Sequence, residues 1–234
     1  MAQISEPPAI DYRDPRPFHP TGTAGRILQL ATEAAEQGRP IVIREICRQL
    51  SLTPGAPYSH FANSAHLESV VAYNGLLTMA SAITTTTPSS GDSRDRLLAT
   101  CRAYRGWALA NRPMFGFIFP TAGRPHDTPF ARHVILASQA IAVPASKALR
   151  DGWDSGRFTP PTPGPPAHPL EIPDVVSLNS DESRVANSLW INVHGAVVIE
   201  LAMGTHDGWD PVDPMFDWLI SAQLSAHLGS HGPR

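Results

Sequence analysis

The stretch from Ile43 to Phe61 holds residue types at a spacing that suits contact with a polyanion. Its apolar residues predict a short amphipathic helix, then a tight connection at Ser51 and a second helix that starts at Thr53-Pro54. The amides at the start of such a helix can bind phosphate, and small residues there let the backbone approach base edges. The pattern therefore favours a helix that enters the major groove of DNA, although ordinary helical hairpins share it.

The candidate DNA contacts lie on this second helix and just before it. We expect the helix to run from Pro54 to near Phe61, with Asn63 capping the long helix that follows. The predicted contact set is Arg44, Thr53, Pro54, Gly55, Ala56, Pro57, Tyr58, Ser59 and His60.

The elements that must position these residues are helices, because helical periodicity runs through the chain and no alternating strand pattern competes with it. We predict an all-α fold of about nine helices. Apart from the two short helices above, their expected spans are 23–38, 63–84, 97–110, 113–119, 129–153, 181–203 and 214–228. Pro144 should kink or interrupt the span 129–153. Seven prolines between 159 and 173 predict an extended surface loop.

Length and composition fit a folded chain that is neither a general polyanion binder nor a membrane protein. The 234 residues are 42% hydrophobic and 17% charged, which allows a sizeable core. The formal net charge of −3 confines any DNA contact to a local surface. The N-terminus has neither the basic start nor the apolar stretch of a secretory signal, and Cys47 and Cys101 match no disulfide framework. We therefore expect a cytoplasmic protein with two reduced thiols.

The ending Tyr58-Ser59-His60-Phe61 makes the whole stretch resemble the helix-turn-helix of TetR-family transcriptional regulators. The resemblance implies that Tyr58 and His60 touch phosphates, that Phe61 is core, and that residues 55–57 face the bases. Two positions depart from the family pattern. Ser64 stands where Lys is common, and Ser51 stands where a turn glycine is common, at a small backbone cost.

A second resemblance lies downstream, where Trp190 to Gly195 is similar to the Trp-x-x-x-His-Gly motif of one TetR C-terminal subclass. In that family the C-terminal helices enclose an effector pocket, and a cavity lined by Met and aromatic side chains suits a flat or apolar small molecule. His194 is the best polar handle, with a structural histidine as its alternative reading. The predicted ligand contacts are Trp107, Met114, Phe115, Ile118, Gln139, Trp190, His194 and Val197.

The resemblance implies a homodimer, and the last two helices favour one. Gly195 and Ala196 permit close helix approach, and an apolar stripe runs along the last helix. Two such helices from each chain would form a four-helix interface. The stripe consists of Phe216, Leu219, Ile220 and Leu224. A two-fold dimer would read a pseudo-palindromic operator.

The predicted domains are an N-terminal arm (1–20), a helix-turn-helix head (21–66) and a ligand-binding and dimerisation domain (67–234). Four arginines and three glutamates give the head a net charge of +1, so its non-specific DNA affinity should be weak and salt-sensitive. Arg13 and Arg16 of the proline-rich arm are candidates for a minor-groove contact, unless Asp11 and Asp14 cancel them.

The expected function is a ligand-responsive regulator, most simply a repressor, that binds operator DNA as a homodimer. Two alternatives stay open: a helical scaffold that has lost DNA affinity, and a small-molecule-binding protein of the same fold. An enzyme is not expected, because the sequence has no Gly-rich phosphate loop, no paired-His zinc motif and no Gly-x-Ser-x-Gly elbow. We expect no metal site and no cofactor.

Overall fold

The computed structural model describes residues 14–119, 131–161, 163, 178–204 and 212–228. These residues form nine α-helices and one 3₁₀ helix, and none of them lies in a strand, which confirms the all-α prediction. The α-helices are α1 (Gly22–Glu36), α2 (Ile43–Gln49), α3 (Ser64–Thr86), α4 (Ser93–Ala110), α5 (Arg112–Ile118), α6 (Ala131–Ala140), α7 (Val143–Asp154), α8 (Ser180–Met203) and α9 (Val212–Leu228).

The helix boundaries follow the local signals in the sequence closely. Asn63 caps α3 as predicted, because its Oδ1 accepts a hydrogen bond from the His66 amide at 2.8 Å. The span predicted across Pro144 is interrupted at residues 141–142, and Pro144 falls in the first turn of α7, where its missing N–H costs nothing. Most of the predicted proline-rich loop 159–173 lies outside the described residues.

The chain forms two compact units. The first comprises residues up to Ser81 together with Asn111–Ala140, and the second comprises Ala82–Ala110 and the residues from Ile141 onward. The boundary predicted between residues 66 and 67 separates a DNA-binding from a ligand-binding domain, and these compact units do not test it, so it stays a prediction. The first unit has an apolar core from α1, α3 and α5, which includes Ile27, Ala31, Leu67, Val70, Leu76, Met79 and Phe115.

Helix α4 contacts three other helices of the second unit, α7, α8 and α9. It packs along α7, and its arginines form ion pairs with three different helices. Arg96 pairs with Asp151 on α7 at 2.6 Å. Arg105 makes a nearly buried bidentate pair with Glu200 on α8, at 2.7 and 2.6 Å. A further pair, 2.7 Å long, joins Arg102 to Asp217 on α9. Such bidentate pairs fix orientation because the guanidinium plane matches the carboxylate.

The stripe predicted for the dimer interface mostly faces the protein interior. Phe216, Ile220 and Leu224 are buried within the second unit, which corrects the expectation that they lie on a free surface. The exposed large apolar residues of α8 and α9 are Ile191, Val198, Ile199, Met203, Met215 and Trp218. Both helices are apolar on most sides, so the sequence pattern alone does not tell the buried face from the exposed one.

Within the part of the chain that the structure describes, one helix has the length and composition that crossing a membrane requires, namely residues Asp181–Met203 of α8. A single helix of this kind is weak evidence for a membrane span. Its inner side carries two polar contacts that belong to a folded core, from His194 to Tyr104 and from Glu200 to Arg105.

Candidate functional site

Helix α2 carries two exposed arginines, and the charge of one of them is neutralised by a glutamate. Arg48 donates to the Glu45 carboxylate at 2.6 and 3.0 Å, and Gln49 donates to it at 2.9 Å. The hydrogen bond from Arg48, followed by that from Gln49, lowers the pKa of Glu45 to about 2. Arg44 is exposed and makes no ion pair within the described residues. The positive charge that α2 offers to a polyanion is therefore centred on Arg44.

The turn after α2 is a Schellman motif built around a serine. The Leu52 amide donates to the Cys47 carbonyl at 2.9 Å, and the Ser51 amide points at the Arg48 carbonyl at 3.4 Å. Ser51 has a φ of 53°, in the left-handed region that glycine normally occupies at this position. The structure thus confirms that this turn tolerates a side chain where a glycine is common.

The element predicted as a helix from Pro54 to Phe61 is shorter and tighter. It is a 3₁₀ helix, Ala56–Ser59, in which the Tyr58 amide donates to the Gly55 carbonyl at 3.1 Å. Pro57 has no N–H to donate, and Gly55 pays a high entropic cost in a helix, so the residues do not sustain an α-helical ladder. We call Ala56–Ser59 the reading turn.

The predicted DNA contacts divide into an exposed group and a buried group. The exposed group comprises Arg44, Thr53, Pro54, Gly55 and Tyr58, and Tyr58 is 46% exposed. Ala56 and Ser59 are half-buried, and the Ser59 hydroxyl donates to the Ala56 carbonyl at 2.8 Å. Pro57 and His60 are buried. A Cβ added to Gly55 would meet open space, so a partner can approach the backbone closely there.

His60 lies under the reading turn rather than on its surface. Only 7% of its surface is exposed, and its Nε2 has no hydrogen-bond partner within the described part of the chain. A buried imidazole nitrogen without a partner is costly, which keeps this atom as a candidate for a contact that forms with a ligand. Its predicted phosphate contact remains a prediction.

His66 supports this site, and the sequence reading gave it no structural role. Its Nδ1 accepts a hydrogen bond from the Ala62 amide at 3.0 Å, and its ring packs edge-on against the buried Phe61. Burial lowers the pKa of His66, so the neutral ring is favoured. Its position three residues after Asn63 could have indicated this role, because a side chain there can reach back to the start of the helix.

In the second unit, two of the predicted ligand contacts meet around a tyrosine that sequence reasoning missed. The Tyr104 hydroxyl lies 2.7 Å from His194 Nδ1, and the indole of Trp190 stacks on the His194 ring at 5.3 Å. Burial lowers the pKa of His194 and raises that of Tyr104, so both groups are favoured in their neutral forms, and the tautomer of His194 decides which of the two donates. Tyr104 lies one helical turn before Trp107, a spacing that could have identified it.

The predicted ligand contacts divide evenly between the two units. Trp107, Trp190, His194 and Val197 belong to the second unit, and Met114, Phe115, Ile118 and Gln139 belong to the first. Phe115, Met114 and Ile118 are buried, while Gln139 is half-buried with its Oε1 lacking a hydrogen-bond partner among the described residues. A role in effector binding stays a prediction for all eight residues.

The described end of the predicted arm lies on the first unit. Arg16 pairs with Asp14, which neutralises the arginine proposed for the minor groove, and Arg13 lies outside the described residues. Further along, the Phe18 backbone forms two hydrogen bonds with Asn74 on α3. The arm's contact with DNA is a prediction that these bonds leave open.

The described residues hold no group of three His, Cys, Asp or Glu side chains that could bind a metal ion. Both cysteines are buried thiols, and burial raises the pKa of Cys101 to about 12. A thiol with such a pKa is a poor nucleophile at neutral pH.

Comparison with protein families links the chain to one kind of domain. A family model described as a tetracyclin repressor-like C-terminal domain matches residues 97–223. That match does not test the Trp-x-x-x-His-Gly subclass. No curated protein matches the chain.

Three solved structures share the fold along most of their length. A protein with unknown function from Rhodococcus sp. RHA1 is 22% identical, with a TM-score of 0.66, and the match covers 91% of this chain and 98% of that one. A bacterial regulatory protein of the tetR family from Rhodococcus RHA1 is 19% identical, with a TM-score of 0.58 and coverages of 90% and 100%. The TetR family transcriptional regulator PfmR from Thermus thermophilus is 14% identical, with a TM-score of 0.53 and coverages of 85% and 94%.

Proposed function

This chain belongs to the TetR family of transcriptional regulators, and from that membership we propose that it is a ligand-responsive repressor that binds a pseudo-palindromic operator as a homodimer. The observation that carries the proposal is the reading turn. It follows α2 through a tight Schellman turn and exposes Tyr58, Thr53 and Gly55 together. A regulator of this kind acts in the cytoplasm and is not an enzyme.

Different residues of the head provide DNA affinity and sequence specificity. Arg44 and Tyr58 present a cation and a hydroxyl suited to phosphate oxygens, which carry no sequence information. Gly55 and Ser59 let the backbone and one hydroxyl approach base edges, where sequence is read. Because the head has few free cations, non-specific affinity should be weak and should fall only gently as salt rises, since the salt dependence scales with the number of phosphates neutralised.

The first test is selection of duplexes from a random DNA pool at low salt, followed by a salt titration of the enriched duplex. We expect an inverted repeat, as a two-fold dimer requires. Tyr58→Ala should weaken binding by roughly tenfold on all sequences, because it removes one phosphate contact. Val42→Ala is the matched control, since Val42 is 48% exposed in the same head and lies at the start of α2, outside the predicted contact set.

Two results would contradict this assignment. Failure to enrich any duplex would favour the DNA-silent scaffold or the small-molecule-binding protein. Equal losses from Tyr58→Ala and Val42→Ala would show that the reading turn does not contact DNA.

The dimer interface is proposed on the exposed face of α8 and α9. Ile191 and Ile199 on α8 are 67% and 59% exposed, and Trp218 on α9 is 65% exposed. Exposed apolar residues at helical spacing on two packed helices of one unit fit a second copy of the same surface. A Cβ added at Gly195, between them on α8, would meet open space, which allows close approach of a partner helix.

The dimer is tested by placing a charge on this face. Ile199→Lys should shift the protein from dimer to monomer in sedimentation velocity, because an unpaired ammonium group would be buried at the interface. Val42→Lys, a similarly exposed position in the other unit, should leave the dimer intact. Monomeric wild-type protein, or a dimer that Ile199→Lys leaves unchanged, would refute the interface.

His194 is the proposed polar contact of the effector. Nδ1 of the His194 ring lies 2.7 Å from the Tyr104 hydroxyl, and the stacked Trp190 supplies an apolar wall. An effector with a flat apolar body and one hydrogen-bonding group suits this arrangement. Release from DNA follows if the effector binds the DNA-free conformation more tightly than the DNA-bound one.

A further inference from the structure

The strongest unassigned feature of the first unit is a latch between the chain before α1 and the long helix α3. Asn74 Oδ1 accepts a hydrogen bond from the Phe18 amide at 2.7 Å, and Asn74 Nδ2 donates to the Phe18 carbonyl at 2.9 Å. The carboxamide thus pairs with the backbone N–H and C=O of a single residue, as a residue of a neighbouring strand would. Residues 14–21, called the strap below, are held on α3 by this pair, across 56 positions of sequence.

Among the described residues, the backbone of Phe18 is the hydrogen-bond partner of the Asn74 carboxamide. Asn74 is 7% exposed, and the α3 residues around it, Val70, Val71, Leu76 and Leu77, are apolar and buried. A buried carboxamide without partners is costly, so the helix is stable here either with the strap docked or with water admitted to the site. These are two discrete arrangements, which a two-state device requires.

The next residue of α3 faces the predicted effector contacts. A Cβ added at Gly75 would lie 2.9 Å from Ile118 Cδ1 and 3.1 Å from Met114 Sδ, so α5 packs directly on the α3 backbone at this turn. Displacement of Met114 or Ile118 by a ligand would therefore press on α3 at the residue beside Asn74. No intermediate element is needed to carry the displacement to the strap.

The other end of the strap is fixed to α1. The Pro20 carbonyl lies so close to Gly25 that an added Cβ would be 2.2 Å from the oxygen. The strap is therefore held at the first turn of α1 as well as at Asn74, and its Pro15 is buried. Movement of α3 relative to α1 would stretch the Asn74 hydrogen bonds, which join the strap to α3.

We propose that the Asn74–Phe18 pair is a latch that opens when side chains at the Gly75 turn are displaced, so that effector occupancy controls the position of the strap and of Arg16 on it. The inference rests on the proposed function, because it gives that function a second output beside the reading turn. The strap is docked when Met114 and Ile118 occupy their present places. It is released when α3 is pushed at Gly75.

The test is hydrogen exchange of the Phe18 amide in the free, full-length protein, read by NMR. Asn74→Leu removes both hydrogen bonds and should raise the exchange rate roughly tenfold or more. Asn192→Leu is the control, because Asn192 donates only within its own helix, to the Ser188 carbonyl at 2.8 Å. Chymotryptic cleavage after Phe18 should rise in parallel in Asn74→Leu and stay at the wild-type level in Asn192→Leu.

Coupling is tested at the neighbouring residue of α3 without any ligand. Gly75→Ala displaces the facing side chains and should also raise the Phe18 exchange rate, whereas Gly116→Ala, a helical glycine of α5 with open space around it, should not. Adding Ile118→Val to Gly75→Ala removes Cδ1, which would lie 2.9 Å from the added Cβ, and should restore part of the protection, since Met114 Sδ stays at 3.1 Å. In the Asn74→Leu background, Gly75→Ala should add nothing.

Two outcomes would overturn the latch. One is a Phe18 exchange rate in Gly75→Ala that equals the rate in Gly116→Ala. The other is a rate in Asn74→Leu that equals the wild-type rate. Because exchange is measured without DNA, these results bear on the latch alone, while a failure to enrich any duplex bears on the proposed function.

Discussion

At the serine in the turn after α2, the presence of a Cβ determines whether a substitution raises or lowers the free energy of unfolding. Ser51 holds a φ of 53° at the end of α2, and Gly38 holds a φ of 67° at the end of α1. Both turns close with the same pair of hydrogen bonds, since the Arg39 amide donates to the Ala34 carbonyl at 2.8 Å and the Gly38 amide to Ala35 at 3.0 Å. The chain therefore contains the same motif with and without a Cβ.

The magnitude follows from two opposing terms. A left-handed conformation costs a residue with a Cβ about 1–2 kcal/mol. A glycine in its place loses about 0.5–1 kcal/mol more conformational entropy on folding. Ser51→Gly should therefore stabilise the protein by about 0.5–1 kcal/mol, and Gly38→Ser should destabilise it by a similar amount. At Gly38 the added Cβ would lie 3.6 Å from Pro113 Cβ, an ordinary contact, so no clash enlarges that loss.

The assay is thermal unfolding followed by circular dichroism, with calorimetry to resolve separate transitions of the two units. Ser51→Gly should raise the midpoint by about 2 °C, as expected for a chain of this length. Ser51→Ala keeps the Cβ and should leave the midpoint nearly unchanged. Ser64→Gly, at an exposed position with ordinary helical geometry at the start of α3, should lower it.

A change of stability in the same direction for Ser51→Gly and Gly38→Ser would contradict a backbone origin of the effect. So would a Ser51→Ala variant as stable as Ser51→Gly, because the effect would then come from the hydroxyl and not from the backbone.

Two further predictions concern packing and pH. Gly152→Ala should destabilise the second unit by about 3 kcal/mol, because its Cβ would lie 2.1 Å from the ring of Phe158, whereas Gly106→Ala in open space should stabilise it slightly. Chemical unfolding of both variants decides this, and similar free energies would contradict it. Burial lowers the pKa values of His66 and His194 from 6.5, so the unfolded chain takes up protons first. Stability should be complete above pH 6.5 and fall below it, and a midpoint that is flat between pH 7.5 and 5.5 would refute this.

Local signals in the sequence determined most of the helices of this protein. Asn63 marks the start of α3, and the turn at Ser51 follows from the spacing of the short helices on either side. A cap or a proline acts through hydrogen bonds and dihedral angles within a few residues, so its effect is readable without the rest of the chain. The reading turn is the exception, because Pro57 permits a first helical turn but not a longer α-helix.

The assignment of faces and partners was decided by the tertiary structure. Periodicity places Phe216 and Trp218 on an apolar helix, but only packing shows that the first is buried and the second exposed. The pairs of Tyr104 with His194 and of Asn74 with Phe18 join residues 90 and 56 positions apart. Helix propensity and amphipathicity act along one helix, whereas these pairs depend on how several helices settle against each other, which no local pattern encodes.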